Sequence, residues 1–381
     1  MTGFWSKKKA GKQATAQQAN LYIYFKGVGR VGSETGKKRI VNYDLLRILA
    51  AFSVVMLHSA AQFWYTLDIY GTEWLIANSY DALFRFGVPI FVMISGALLL
   101  RPDYVLDLKR LYRHNILRLL VIYIVWSCLY GLLDCLLHPH TLDWKGVIRQ
   151  LISGRYHLWF LPMLIGLYML LPILKGWLAH ADKKGVQYFL GLFFVLQICR
   201  ETLRALTVTD ELHYILDIVD VELVCGYVGY FVWGYYLSQI KIGQKLQRFF
   251  YIAAIPSLLC NVLLGNWLAH RAGMAVGTIY DSFGLFTFVQ VTALFLFVQE
   301  RFGENSVKEK TGRLVGQISA DTFGVYVLHI GLIELLEKVG IHSMMLPNLI
   351  GIPVHAVLIF VLALILAALL RRIPVIGRYL C

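Results

Sequence analysis

The sequence predicts an all-α integral membrane protein of about ten transmembrane helices with both termini cytoplasmic. Three observations carry that reading. The first is composition: the 381 residues are 58% hydrophobic and only 15% charged, against roughly half apolar and a quarter charged in a soluble domain. The second is length. Apolar runs of roughly 20 residues, enough for a helix to cross about 30 Å of hydrocarbon, recur near 43–64, 80–100, 116–137, 157–175, 186–205, 222–238, 247–268, 282–300, 319–338 and 350–371. The third is charge. With the N-terminus inside, the segments facing the cytoplasm hold 27 Lys and Arg, the outer segments hold seven, and Arg47 and Arg85 stay within helices. That bias sets orientation. It also accounts for the net charge of +13 without a nucleic-acid partner. The expected location is the plasma or inner membrane, as a multi-pass protein.

Residues 1–40 read as a basic cytoplasmic tail, flexible and rich in Lys, Gly and Gln. Leu21–Phe25 is too short for the apolar core of a signal peptide; it is long enough to touch a membrane surface. Residues 41–378 form one transmembrane domain, because no loop is long enough to fold alone. The six cysteines include no C-x-x-C pair and fall mostly in apolar segments. They predict neither a disulfide framework nor a metal site.

The first span holds the most informative pair, Arg47 and His58, eleven residues apart. At about 100° and 1.5 Å per residue they share one helix face and stand about 16 Å apart along the axis. Ionisable groups at membrane depth are retained mostly where they face a protein interior or a wet cavity. Asp44 stands three residues before Arg47, so a helix-end ion pair is one reading of that arginine. His58 is either a satisfied core histidine or a general base that takes a proton from an attacking hydroxyl.

The second span carries Arg85, then Pro89, then Ser95-Gly96. Pro89 should weaken the helix and free a carbonyl. Ser95-Gly96 serves either close helix packing or a site. The stretch Lys109–Arg118, with Arg110, Arg113 and Arg118, lies at the inner end of the third span. It is either a topology determinant or a phosphate clamp, since guanidinium groups match phosphate geometry. The fourth span opens on Tyr156-His157-Leu-Trp159, where Trp159 suits an interfacial belt and His157 adds a candidate contact to substrate. The fifth span is crowded at its end by Arg200, Glu201 and Arg204. Asp210, Glu211, Asp217, Asp220 and Glu222 follow, as a solvated loop or a contact surface for an external substrate. The ninth span contains Tyr326 and a further buried imidazole, His329, suited either to packing or to a cavity wall.

Taken in order, these motifs resemble the acyltransferase-3 family of membrane acyltransferases. Arg47 and His58 match its R-x10-H signature. Val88–Gly96 matches its VPxFFxxSG segment, with Val92 in place of the second Phe. Lys109–Arg118 matches its basic stretch, His157–Leu161 its H-x-W-[FY]-L element, and Val325–His329 its late [FIV]-Y-x-x-H element. Arg371–Pro374 resembles its closing basic segment. The resemblance is collinear over 41–378 and leaves out the tail.

It implies transfer of an acyl group, usually acetyl, from cytoplasmic acetyl-CoA to a hydroxyl of a cell-surface or lipid-linked saccharide or a similar acceptor. Acetyl-CoA or another short acyl-CoA is then a co-substrate, with no tightly bound cofactor. His58 would be the base, or would carry the acyl group, with Arg47 beside it in the catalytic set. Arg47, Arg110, Arg113, Arg118 and Ser95 would hold the donor. Arg85, His157, Trp159, Tyr326 and His329 would border the acceptor. A transporter or flippase is the competing reading, since buried Arg and His also suit a transport path. It would often show repeated halves with broken helices, and none is visible.

Overall fold

A computed structural model describes residues 40–137, 154–207, 209–218, 226–303 and 308–373, and every regular element among them is helical. The N-terminal tail up to residue 39, Asp220, Glu222, Pro374 and Arg378 lie outside the described residues.

The first helix, α1 (Val41–Ala61), follows the first apolar run, with Asp44 in its first turn, where a negative charge favours the helix dipole. The second apolar run is not one helix. It forms α2 (Thr72–Leu83) and α3 (Gly87–Leu99), broken at Phe84–Phe86. Pro89 therefore falls in the first turn of a new helix, where its missing N–H is tolerated. The break itself sits three to five residues upstream of the proline and turns Arg85 out of either helix.

Lys109–Arg118 enters the bundle through a short turn at Leu108–Arg110 and a π-helical stretch at Leu111–Ile116, continuing into α4 (Leu117–Leu137). A 3-10 turn at Tyr156–Trp159 opens α5 (Phe160–Leu178). Next come α6 (Lys183–Phe193), a π-helical stretch at Phe194–Cys199, α7 (Arg200–Leu206) and α8 (Asp210–Ile218). The chain closes with α9 (Tyr227–Gln239), α10 (Gln244–Ala272), α11 (Leu285–Arg301), α12 (Glu309–Lys338) and α13 (Asn348–Arg371).

Eight helical segments among the described residues are long and apolar enough to cross a membrane. They are Val41–Ala61, Thr72–Leu99, Leu108–Leu137, Tyr156–Leu178, Gln244–Ala272, Thr278–Arg301, Glu309–Lys338 and Asn348–Arg371. The chain is thus a multi-pass helical membrane protein. The fifth and sixth expected spans are the two not in this set. Lys183, Lys184, Arg200, Glu201 and Arg204 bracket the fifth. The described part of the sixth, α9, has 13 residues, about 20 Å of helix.

The first helix is central, packed against α2, α3, α12 and α13. The closest crossing is α3 against α9. A Cβ on Gly96 would fall 1.8 Å from the Phe231 carbonyl oxygen, and one on Gly234 would fall 2.1 Å from that of Met93. Glycine on both sides lets the two backbones touch. Of the two readings of Ser95-Gly96, close packing is realised at Gly96. Ser95 Oγ donates to the Phe91 carbonyl of its own helix at 2.9 Å.

Candidate functional site

Three histidines that the sequence scatters over three spans converge at one end of the bundle. His58 comes from the last turn of α1, His157 from the 3-10 turn before α5, and His329 from α12. The ring centroids of His58 and His329 are 5.1 Å apart, and those of His157 and His329 are 5.2 Å apart. His329 is fully buried and His157 is 3% exposed. Tyr156 brings its ring to 5.5 Å from His58.

Each histidine is held by the element that carries it. The end of α1 is fixed from two sides. Ser59 Oγ lies 3.1 Å from His355 Nδ1 on α13, and Gln62 Nε2 donates to Glu337 on α12 at 2.9 Å. His329 Nδ1 lies 2.7 Å from the Tyr326 carbonyl oxygen. A carbonyl only accepts, so Nδ1 carries the proton and Nε2 keeps a free lone pair. The Tyr326 hydroxyl donates to the His157 carbonyl at 2.7 Å, tying α12 to the 3-10 turn. Tyr130 of α4 donates to the Val327 carbonyl at 2.8 Å and accepts from the Gly331 N–H at 3.0 Å, bracing the turn of α12 that presents His329.

The 3-10 turn is anchored just before it begins. Arg155 donates through Nη1 to Asp134 of α4 at 2.7 Å and through Nη2 to Glu334 of α12. One guanidinium thus spans two helices, as its paired donors allow.

A cavity of about 40 Å³ opens beside this cluster. Its polar wall is His58, His157 and Tyr326; its apolar wall is Val54, Val88, Phe91 and Phe160, with Trp159 at the edge. Trp159 is 46% exposed and faces Tyr227 at 5.6 Å. His329 stands behind the wall. Among the described residues no group of three His, Cys, Asp or Glu side chains is placed to hold a metal ion. The arrangement offers imidazole lone pairs to a small, mostly apolar space, which suits proton abstraction from a hydroxyl.

The remaining expected residues lie elsewhere. Arg47 pairs with Asp44 at 3.1 Å, and Asp44 also accepts from Ser319 Oγ of α12 at 2.7 Å. This is the helix-end pair, three turns from His58. Arg85 pairs with Asp81 at 2.5 Å, and its guanidinium carbon sits 5.2 Å from the centre of the Tyr280 ring. Ser95 is spent on its own helix and is not in the cavity wall. Arg110, Arg113 and Arg118 belong to the inner end of the α4 span, where Arg113 is exposed and Arg118 half-buried. Tyr130, seventeen residues after Arg113 in the same helical segment, meets the His157 ring at 5.0 Å. Arg113 and Arg118 are therefore about 25 Å and about 18 Å along the helix from the histidines.

Sequence reasoning missed the Arg155 fork, Tyr130 and the phenylalanines of the cavity. Asp134 and Glu334, each an acid inside an apolar run, are the signals in the sequence that point to the fork.

A family model described as an acyltransferase domain matches residues 40–372, which takes in every span and every residue of this cluster. No curated protein and no solved structure gives a match to the chain.

Proposed function

The chain belongs to the acyltransferase-3 family of membrane acyltransferases, and from that premise we propose that it moves an acetyl group from cytoplasmic acetyl-CoA to a hydroxyl of an envelope saccharide or lipid-linked sugar. The observation that supports this is the convergence of His58, His157 and His329 on one small cavity. His58 lines the cavity and is the general base. It takes the proton of the acceptor hydroxyl as the oxygen attacks the thioester carbonyl. The oxygen–acyl bond forms, the carbon–sulfur bond breaks, and the proton held on His58 passes to the departing thiolate. His157 and Tyr326 form the rest of the polar wall. His329, with its Nε2 lone pair free, accepts a hydrogen bond or shares the proton from behind. Trp159 borders the acceptor, and Arg85 lies on the same side.

The donor is proposed to enter from the opposite end. Arg47, Arg110, Arg113 and Arg118 provide guanidinium groups for the phosphates of coenzyme A, and the extended pantetheine arm carries the thioester toward His58. The proposal further holds that spans near 186–205 and 222–238 complete a ten-span bundle of the plasma membrane, with both termini cytoplasmic. The bias of 27 basic residues against seven supports that orientation.

The test is mass spectrometry of envelope saccharides from cells carrying wild type, His58→Ala or no protein. Wild type should add an ester-linked acetyl group that the other two lack. Equal acetylation in wild type and His58→Ala would refute His58 as the base. An acceptor that appears outside unacetylated, and only with wild type, would favour the flippase.

A further inference from the structure

We propose that Phe91 and Phe160 are the gauge that limits the transferred acyl group to acetyl; this rests on the acyl-transfer reading above. The cavity beside His58 has a volume of about 40 Å³. A water needs about 10–15 Å³ on that scale, so the space holds about three water-sized groups. An acetyl group has three: carbonyl carbon, carbonyl oxygen and methyl. Each added methylene would press against the walls of this space.

The apolar wall is built not to yield. Phe91 of α3 and Phe160 of α5 pack against each other in that wall, with ring centroids 6.0 Å apart. Phe160 is 8% exposed and is backed by the Tyr326 ring at 5.5 Å. Tyr326 is itself held by its hydroxyl on the His157 carbonyl. The phenylalanines thus lean on the same tyrosine that fixes the polar wall, and pushing Phe160 back would disturb His157. Close-packed interiors resist such displacement. Val54 and Val88, β-branched and stiff at χ1, fill the remaining side. Size and chemistry together describe a methyl-sized apolar slot next to a base.

The experiment compares acetyl-, propionyl- and butyryl-CoA as donors, in membranes containing the full chain, by the rate of free CoA release at several concentrations of each thioester. One methylene in an apolar pocket is worth about 10–200-fold in kcat/KM. Wild type should therefore favour acetyl over butyryl by at least about tenfold. Phe91→Ala and Phe160→Ala should each raise the butyryl-to-acetyl ratio by about tenfold or more. Phe91→Leu, a gentler change, should move it the same way by less. Each ratio is taken within one preparation, so a smaller folded fraction cancels.

Ratios that stay within about twofold of wild type in both alanine variants, or a wild type that uses butyryl-CoA as well as acetyl-CoA, would overturn the gauge while leaving acyl transfer standing. A wild type that consumes none of the three thioesters would overturn acyl transfer and the gauge with it.

Discussion

Arg155 is the residue on which the geometry of the cluster turns. Its side chain is 23% exposed, and the Asp134 and Glu334 side chains it joins are 10% and 19% exposed. Pairs this sheltered lie between exposed salt bridges, worth about 0–1 kcal/mol, and buried ones, where removing one partner costs about 3–5 kcal/mol. Arg155→Ala should thus cost about 2 kcal/mol, because it leaves two carboxylates without their shared cation. Thermal unfolding in detergent checks this: the variant should unfold at lower temperature. Adding Asp134→Asn and Glu334→Gln should recover part of the loss, since neutral amides need no counter-charge. An unchanged unfolding temperature would show that the fork contributes nothing to stability. Little of this was legible in the sequence. Arg155 read as an outer-loop charge, and its partners stand 21 and 179 positions away. The three histidines were each legible as polar residues inside apolar runs. Their meeting was not, because periodicity fixes a helix face and says nothing of which helix that face meets.

At the scale of elements, the sequence located most of the helices but not how two of them are made. The second apolar run reads as one span, and Pro89 marks it as weak; the break falls upstream, at Phe84–Phe86, since a proline is tolerated in a helix's first turn. The segments at 183–206 and 227–239 are poorer in length or apolarity than the other eight. Yet α9 is among the most enclosed helices, with Tyr230, Phe231 and Val232 fully buried. Its 13 described residues, and not a lack of apolar side chains, keep it out of the set of eight. Its crossing with α3 has no slack, which makes Gly96→Ala a sharp test of the packing. The added methyl meets a backbone oxygen that cannot rotate away. Overpacking costs about 1–3 kcal/mol even where side chains can shift, so the loss here should reach or exceed that range. The amount of monodisperse protein recovered by size exclusion should fall sharply. Full recovery with unchanged stability would contradict the close crossing. Ser95→Ala, which removes only a hydroxyl bonded to its own helix, should be recovered at the wild-type level.

Over the whole molecule, Arg47 and the basic stretch Lys109–Arg118 lie at the end opposite the histidine cluster. Arg47 and His58 belong to one helix, Arg113 and Tyr130 to another, and Ser319 and His329 to a third. In each, the residue at the basic end and the one at the histidine cluster are about 15–25 Å apart. A compact catalytic dyad of Arg47 and His58 does not fit that separation; a donor bound at one end and reacting near the other does. The central claim is that acyl transfer runs from the cytoplasmic face through His58. Its most direct test supplies radiolabelled acetyl-CoA to inside-out and right-side-out membrane vesicles containing wild type or His58→Ala. Label should pass into CoA-free vesicle material only in inside-out vesicles with wild type, and His58→Ala should fall to the level of vesicles lacking the protein. Equal labelling in both orientations, or full labelling by His58→Ala, would contradict the account.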